Sequence, residues 1–138
     1  MNYLLDTNSV IDHLRRGLGS EVTAKLAATP PGSVYFCSVV LEELLYGARR
    51  SGAAYQTANL ALIATLRRRF VSLPFDDHAA DEYGKVRAHL TAVGTPIGPN
   101  DLMIASIALA HKMTLVTHNT VEFSRVPGLV LDDWQQAT

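Results

Sequence analysis

Along this chain short, unbroken apolar runs alternate with stretches whose apolar positions recur every three or four residues. Tyr3-Leu4-Leu5 is the first run and ends at Asp6; Val10, Ile11 and Leu14 then fall at helical spacing until Gly17 and Gly19 stop the pattern. Thr7 and Asn8 are placed to cap that helix. A short helix fits Glu21 to Ala28, closed by Pro30-Pro31-Gly32. Val34 to Cys37 predicts a second strand, with Ser38 capping a helix that carries Leu41, Leu44, Leu45 and Ala48. A helix from about Tyr55 to Arg69 and a strand over Phe70–Leu73 follow. Asp76 or Asp77 caps the next helix, whose Ala79, Tyr83, Val86, Leu90 and Val93 share one side before Gly94 ends it. Past the rigid Pro96-Ile97-Gly98-Pro99 loop, a nearly all-apolar helix runs from Asn100 to about His111, and a helix apolar on every side is a buried one. Thr114–Thr117 predicts a fourth strand and Leu129–Leu131 a fifth.

Continuous apolar strands alternating with helices indicate an α/β fold: a mainly parallel sheet of about five strands covered on both faces, three layers in all. In such open sheets ligands bind outside the carboxyl ends of the strands. A list of strands therefore becomes a list of places to look for chemistry.

Composition narrows the classes. The 138 residues suit one domain spanning 1–138, and 48% hydrophobic content is enough for a sizeable core. Charged residues make up 18%, below the usual quarter, so some apolar surface is expected to be covered by a partner or a second copy. With a formal charge of −1, nucleic-acid binding has to rest on local patches. Cys37 is the only cysteine and lies in an apolar run, which reads as a buried strand residue and leaves no disulfide framework or zinc cluster. The opening residues lack a basic region and meet a carboxylate at Asp6, unlike a signal peptide, and no apolar run matches a membrane span; the expected location is cytoplasmic.

Acids and their neighbours gather just past the strands. Asp6, Thr7 and Asn8 follow the first, Glu42 and Glu43 lie one helical turn past the second, and His118, Asn119 and Glu122 follow the fourth. Asn100 and Asp101 open the buried helix, where few polar groups belong. Taken singly, each acid reads as a cap or a helix-dipole partner. Together they would crowd one sheet edge with like charges, which repel unless a cation neutralises them. Hard oxygen ligands select Mg²⁺ or Mn²⁺, and with no cysteine or histidine cluster the remaining chemistry is metal-assisted phosphoryl transfer. Apolar neighbours flank both Glu42 and Glu43, so the helical wheel does not choose between them.

Four segments carry a family resemblance that runs essentially end to end: Tyr3-Leu4-Leu5-Asp6-Thr7-Asn8; Ser38-Val39-Val40-Leu41-Glu42-Glu43-Leu44-Leu45-Tyr46-Gly47; Ile97-Gly98-Pro99-Asn100-Asp101-Leu102-Met103-Ile104-Ala105; and Leu115-Val116-Thr117-His118-Asn119 with Glu122-Phe123, Arg125-Val126-Pro127-Gly128-Leu129 and Asp133-Trp134. The chain resembles PIN-domain nucleases and, among them, the VapC toxins of bacterial toxin–antitoxin pairs. The resemblance implies Asp6, Glu43 and Asp101 as catalytic metal ligands and leaves Glu42 outside the set. Many PIN domains carry a fourth acid where this chain has Asn119, a neutral amide. One strong metal site is therefore expected at Asp6 and Asp101, with Glu43 direct or through water, and Glu122 is a candidate for the missing charge. Thr7, Asn8, Asn100, Thr117 and Asn119 would orient carboxylates, water or substrate.

The resemblance implies an endoribonuclease that cuts transfer or ribosomal RNA and so inhibits translation and growth. Its partners would be a cognate VapB-type antitoxin laid across the groove and, through that antitoxin, operator DNA. A homodimer, or a heterotetramer or hetero-octamer with the antitoxin, is implied too, with the helices at Leu41–Ala48 and Tyr55–Leu66 as contact surfaces. Arg15, Arg16, Arg49 and Arg50 end the two helices that begin beside Asp6 and Glu43, where they are placed to grip RNA phosphates. Of the histidines only His118 neighbours this site. A metal-dependent phosphatase is the rival enzyme; it needs a second acid where Asn8 stands or a nearby lysine partner, and the chain lacks the first. A catalytically weak PIN-like RNA-binding module is the rival outside enzymes, favoured by Asn119 alone.

Overall fold

A computed structural model describes residues 1–136 of the chain. Five strands form one sheet: β1 (Tyr3–Leu5), β2 (Val34–Cys37), β3 (Val71–Leu73), β4 (Thr114–Val116) and β5 (Leu131–Asp132). Their order is β3-β2-β1-β4-β5 and every pairing is parallel. The helices are α1 (Thr7–Arg16), α2 (Glu21–Ala27), α3 (Ser38–Arg50), α4 (Ala53–Arg69), α5 (Asp77–Ala92), α6 (Pro99–Ala110) and α7 (Thr120–Phe123). The chain winds outward from β1 to β3 and then returns to the far side of β1 for β4. Right-handed crossovers therefore put α1–α4 on one face and α5–α6 on the other, giving the expected three layers.

Leu4, Leu5, Phe36, Leu115 and Val116 of the sheet have no exposed surface, nor do Ile104 and Ile107 of α6. The all-apolar reading of α6 holds for this reason: it is packed against α5, α3 and the sheet at once. Its one buried hydroxyl, Ser106 Oγ, donates to Leu102 O at 2.6 Å. Trp134 closes the end of the core against Tyr3, ring centroids 5.1 Å apart. Cys37 is buried as expected, and burial pushes its thiol up to about 11.

Local details differ from the sequence reading. Asp6 itself caps α1, its Oδ1 accepting from Ser9 N at 2.8 Å, while Thr7 is already helical. Ser38 likewise lies inside α3, whose cap position is Cys37 with no side-chain bond. Helix α6 begins at Pro99, whose missing N–H suits a first helical position. Phe70 and Thr117 fall outside β3 and β4, and the fifth strand is shifted to Leu131–Asp132. Asp76 is the cap of α5, accepting from Ala79 N at 3.0 Å. Gly94 ends that helix at φ 75°, a conformation other residues enter at a cost. Among the described residues, no helix is long and apolar enough to cross a membrane.

Candidate active site

Register builds the centre of the site. Leu5 pairs with Val116, the last residues of β1 and β4, so the residues that follow, Asp6 and Thr117, emerge side by side. This is where the strand order reverses, the position at which open α/β sheets place their ligands. Thr117 Oγ1 donates to Asp6 Oδ2 at 2.6 Å, Asp6 N donates to Val116 O at 3.1 Å, and Ser9 Oγ donates to Val116 O at 3.2 Å. Asp6 is only 4% exposed. Burial raises its carboxyl above the ordinary aspartate value, the bonds from Thr117 and Ser9 oppose that shift, and the charge of Asp133 adds to it.

Glu43 and Asp101 come to the same edge from α3 and α6. Glu43 is half-buried, whereas Glu42 is exposed and receives only a long 3.5 Å contact from Asn100 Nδ2. Burial raises the Glu43 carboxyl; the charges of Glu42 and Asp6 push the same way, while the Thr7 hydroxyl and Asn100 amide oppose them. Asp101 is pushed up to about 6, first by burial and then by the charges of Glu122, Glu43 and Asp6. The acids thus feel one another across a shared mouth. Thr7 Oγ1 is buried there and, among the described residues, has no hydrogen-bond partner at ordinary geometry.

Glu122 completes the group. Its Oε2 accepts from Asn119 Nδ2 at 2.9 Å, and Oε1 accepts from Gly98 N at 3.4 Å, one residue ahead of α6. Asn119 N in turn donates to Thr117 Oγ1 at 3.0 Å. Asn119 therefore serves as a strut that holds Glu122 beside the Gly98 turn, from where its charge reaches Asp101.

Repulsion among carboxylates, hard oxygen donors and an unpartnered hydroxyl make up a donor set that fits a divalent cation such as Mg²⁺ or Mn²⁺. Among the described residues no three acid, imidazole or thiol side chains stand close enough already to close on a single ion. Asp6 is held by Ser9 and Thr117 and Glu122 by Asn119 and Gly98, whereas Glu43 and Asp101 are half-buried at the same mouth.

Residues 3–129 match the family model described as the PIN domain. The chain belongs to the PIN-domain family. A tRNA(fMet)-specific endonuclease VapC of Salmonella typhimurium is 35% identical, over 97% of this chain and 98% of the relative. The DNA-bound VapBC structure from Salmonella typhimurium superposes with a TM-score of 0.89 at 34% identity, covering 97% of this chain and 98% of that one. VapBC2 from Rickettsia felis, bound to a fragment of its promoter DNA, gives 0.85 at 33% identity over 97% and 99%.

Around this PIN site the expected basic residues separate. Arg15 and Arg50 line an apolar groove between α1, α3 and α4 that reaches Glu43, with a volume of about 220 Å³. Arg15 also lines, with Arg16, a second groove of about 520 Å³ between α1 and the exit of β4, where Asn8, His118 and Asn119 stand. Arg49 is exposed and lines neither groove. Arg50 rests over the Tyr46 ring, 5.5 Å from its centroid. Asp133 was absent from the expected site residues, yet its charge reaches Asp6 and its Oδ2 pairs with His118 Nδ1 at 2.9 Å. Its sequence signals are its place just beyond the last strand and the Asp133-Trp134 pair in the C-terminal segment of the resemblance.

Proposed function

We propose that this PIN domain is a Mg²⁺- or Mn²⁺-dependent endoribonuclease, the toxin of a toxin–antitoxin pair, which cuts transfer RNA and thereby stops translation. The observation that carries this reading is the convergence of Asp6, Glu43, Asp101 and Glu122 on one sheet edge, with the first three held above ordinary carboxyl values. Asp6, Asp101 and Glu43 would hold the ion, and Glu122 supplies the charge that Asn119 lacks. When bound, the ion acidifies water and offsets the charge that builds on the phosphate. Thr117 and Ser9 keep Asp6 in one orientation. Glu43, half-buried with its carboxyl above the usual value, is suited to take a proton from the attacking water at its Oε atoms.

Relatives named as ribonucleases and tRNA endonucleases support the substrate, and the VapBC neighbours support the partner. The groove between α1, α3 and α4, walled by Ile11, Leu14, Leu44, Leu62 and Ile63 and leading to Glu43, suits an apolar segment of a VapB-type antitoxin. Such a segment would bar RNA from the acids and bring operator DNA to the complex through the antitoxin. Tyr46 of α3 and Tyr55 of α4 are exposed and suit contact with a second copy. The cell compartment consistent with this role is the cytoplasm.

Incubating the purified protein with bulk tRNA, with initiator tRNA and with ribosomal RNA, each separately, tests the reading. Discrete cuts are expected with Mg²⁺ or Mn²⁺, none with EDTA, and none from Asp6→Asn. Asp6→Asn cutting at the parental rate overturns the mechanism, and cuts confined to ribosomal RNA reassign the substrate.

A further inference from the structure

The groove between α1 and the exit of β4 has no part in the chemistry assigned above, yet it adjoins the acids through Asn119 and reaches the antitoxin groove through Arg15. Its volume of about 520 Å³ lies in the range of small-molecule sites.

Its charges are sorted between internal and free. Asp12 is bonded by Ser20 Oγ and by Arg16 Nη1, the latter at 3.2 Å, and Arg16 Nη2 also donates to Gly19 O at 3.0 Å. Arg15 is exposed and, among the described residues, makes no ion pair or hydrogen bond, so its guanidinium is left for an anion. Asn8 and Gln135 likewise keep unbonded side-chain amides in the groove.

His118 is held in place. Its Nδ1 pairs with Asp133 Oδ2 at 2.9 Å, and Asp133 Oδ1 accepts from Gln135 N at 2.9 Å. The Asp133 side chain is only 9% exposed while that of His118 is 59% exposed. A carboxylate used this way fixes the ring plane and leaves Nε2 as the free ring atom. A solvated turn has no need of such an arrangement.

We propose that this groove is a nucleotide subsite for the RNA: the unpaired residue next to the scissile bond lies in it, with its phosphate on Arg15 and its base edge on His118. The subsite rests on the ribonuclease reading and deepens it. An acid cluster repels the RNA backbone, so phosphate grip has to come from beside the acids, and Arg15 stands there free. A held imidazole flanked by two amides offers donors and acceptors to a base edge. Proteins read RNA sequence in this way on single-stranded loops, where bases can be splayed out, rather than on duplex. Asp133 acts as a positioning residue for His118.

The test is steady-state cleavage of tRNA with Mg²⁺ by the full chain and by Arg15→Ala, His118→Ala and His118→Gln, with sequencing of the cut ends. The two alanine variants are expected to melt as the parent does, since both side chains are exposed. They should raise KM by about five- to tenfold with kcat within twofold, and Arg15→Ala should lower the salt dependence by somewhat less than one phosphate-equivalent charge. His118→Ala should also relax the nucleotide preference on one side of the cut, and His118→Gln, whose amide replaces Nε2, should restore part of it. Unchanged KM and cut pattern in both alanine variants, or a fall in kcat alone, overturns the subsite and leaves the ribonuclease reading standing. Absence of any cleavage by the parent with either ion removes both.

Discussion

Thr117 donates its hydroxyl hydrogen to Asp6 over 2.6 Å, joining residues 111 positions apart in the chain. The bond exists because β1 and β4 are neighbours in register, so the residue after each strand arrives at the same height. With Ser9 N on the other oxygen, Asp6 keeps one orientation before any ligand arrives.

Thr117→Val tests that bond, since the replacement has nearly the same shape and cannot donate. A buried Asp6 oxygen is left without its partner, and stability at pH 7 should fall by about 1–3 kcal/mol in urea denaturation. Cleavage should drop by about 10- to 100-fold, as for other residues that orient a ligand.

Without metal, stability should depend on pH with an unusual sign. The Asp6, Glu43 and Asp101 carboxyls are raised in the folded state, Asp101 from 3.8 to about 6. Between the unfolded and folded values the native state binds more protons, so stability falls as pH rises through that window. In EDTA the melting temperature should be higher near pH 4.5 than near pH 7.5, other groups contributing equally. Mg²⁺ at about one hundred times its Kd should add about 2.7 kcal/mol at the higher pH and little at the lower, where protons occupy the carboxylates.

Asp101→Asn separates repulsion from catalysis. Removing one of the crowded charges should raise the melting temperature in EDTA at pH 7.5 and abolish most of the gain from Mg²⁺. Cleavage should fall by more than about a hundredfold. A variant that loses activity because it unfolds would show the opposite thermal shift.

The neighbouring glutamates should behave differently. Glu43→Gln should remove cleavage almost entirely, whereas Glu42→Gln, at an exposed position, should stay within about twofold in kcat/KM. Equal losses in the two would show that the helix presents its acids otherwise.

Glu122→Gln should reveal the fourth acid through pH. Its charge is the largest of those that hold Asp101 up, so removing it should shift the acidic limb of the pH–rate profile to lower pH while lowering the plateau by about 10- to 100-fold. A profile unmoved on the pH axis would mean that Glu122 serves only the loop at Gly98.

Much of this protein was legible in its sequence because the signals are local. Apolar runs ending at Asp6, Cys37 and about Thr117 mark parallel strands, and the rule that such strands present ligands at their carboxyl ends already singled out Asp6, His118 and Asn119. The polar opening of an otherwise apolar helix singled out Asp101. Periodicity left Glu42 and Glu43 equivalent, because apolar neighbours flank both; only the packing of α3 against its neighbours leaves Glu43 half-buried and Glu42 in solvent. The roles of Asn119 and Asp133 were also beyond local pattern. One holds Glu122 and the other fixes His118, and both depend on which loops the sheet order brings together. Chain-local chemistry thus determined the elements and most of the acids. Strand order and register decided which of them share a charge field, since Coulomb coupling depends on distance in space and not on separation along the chain.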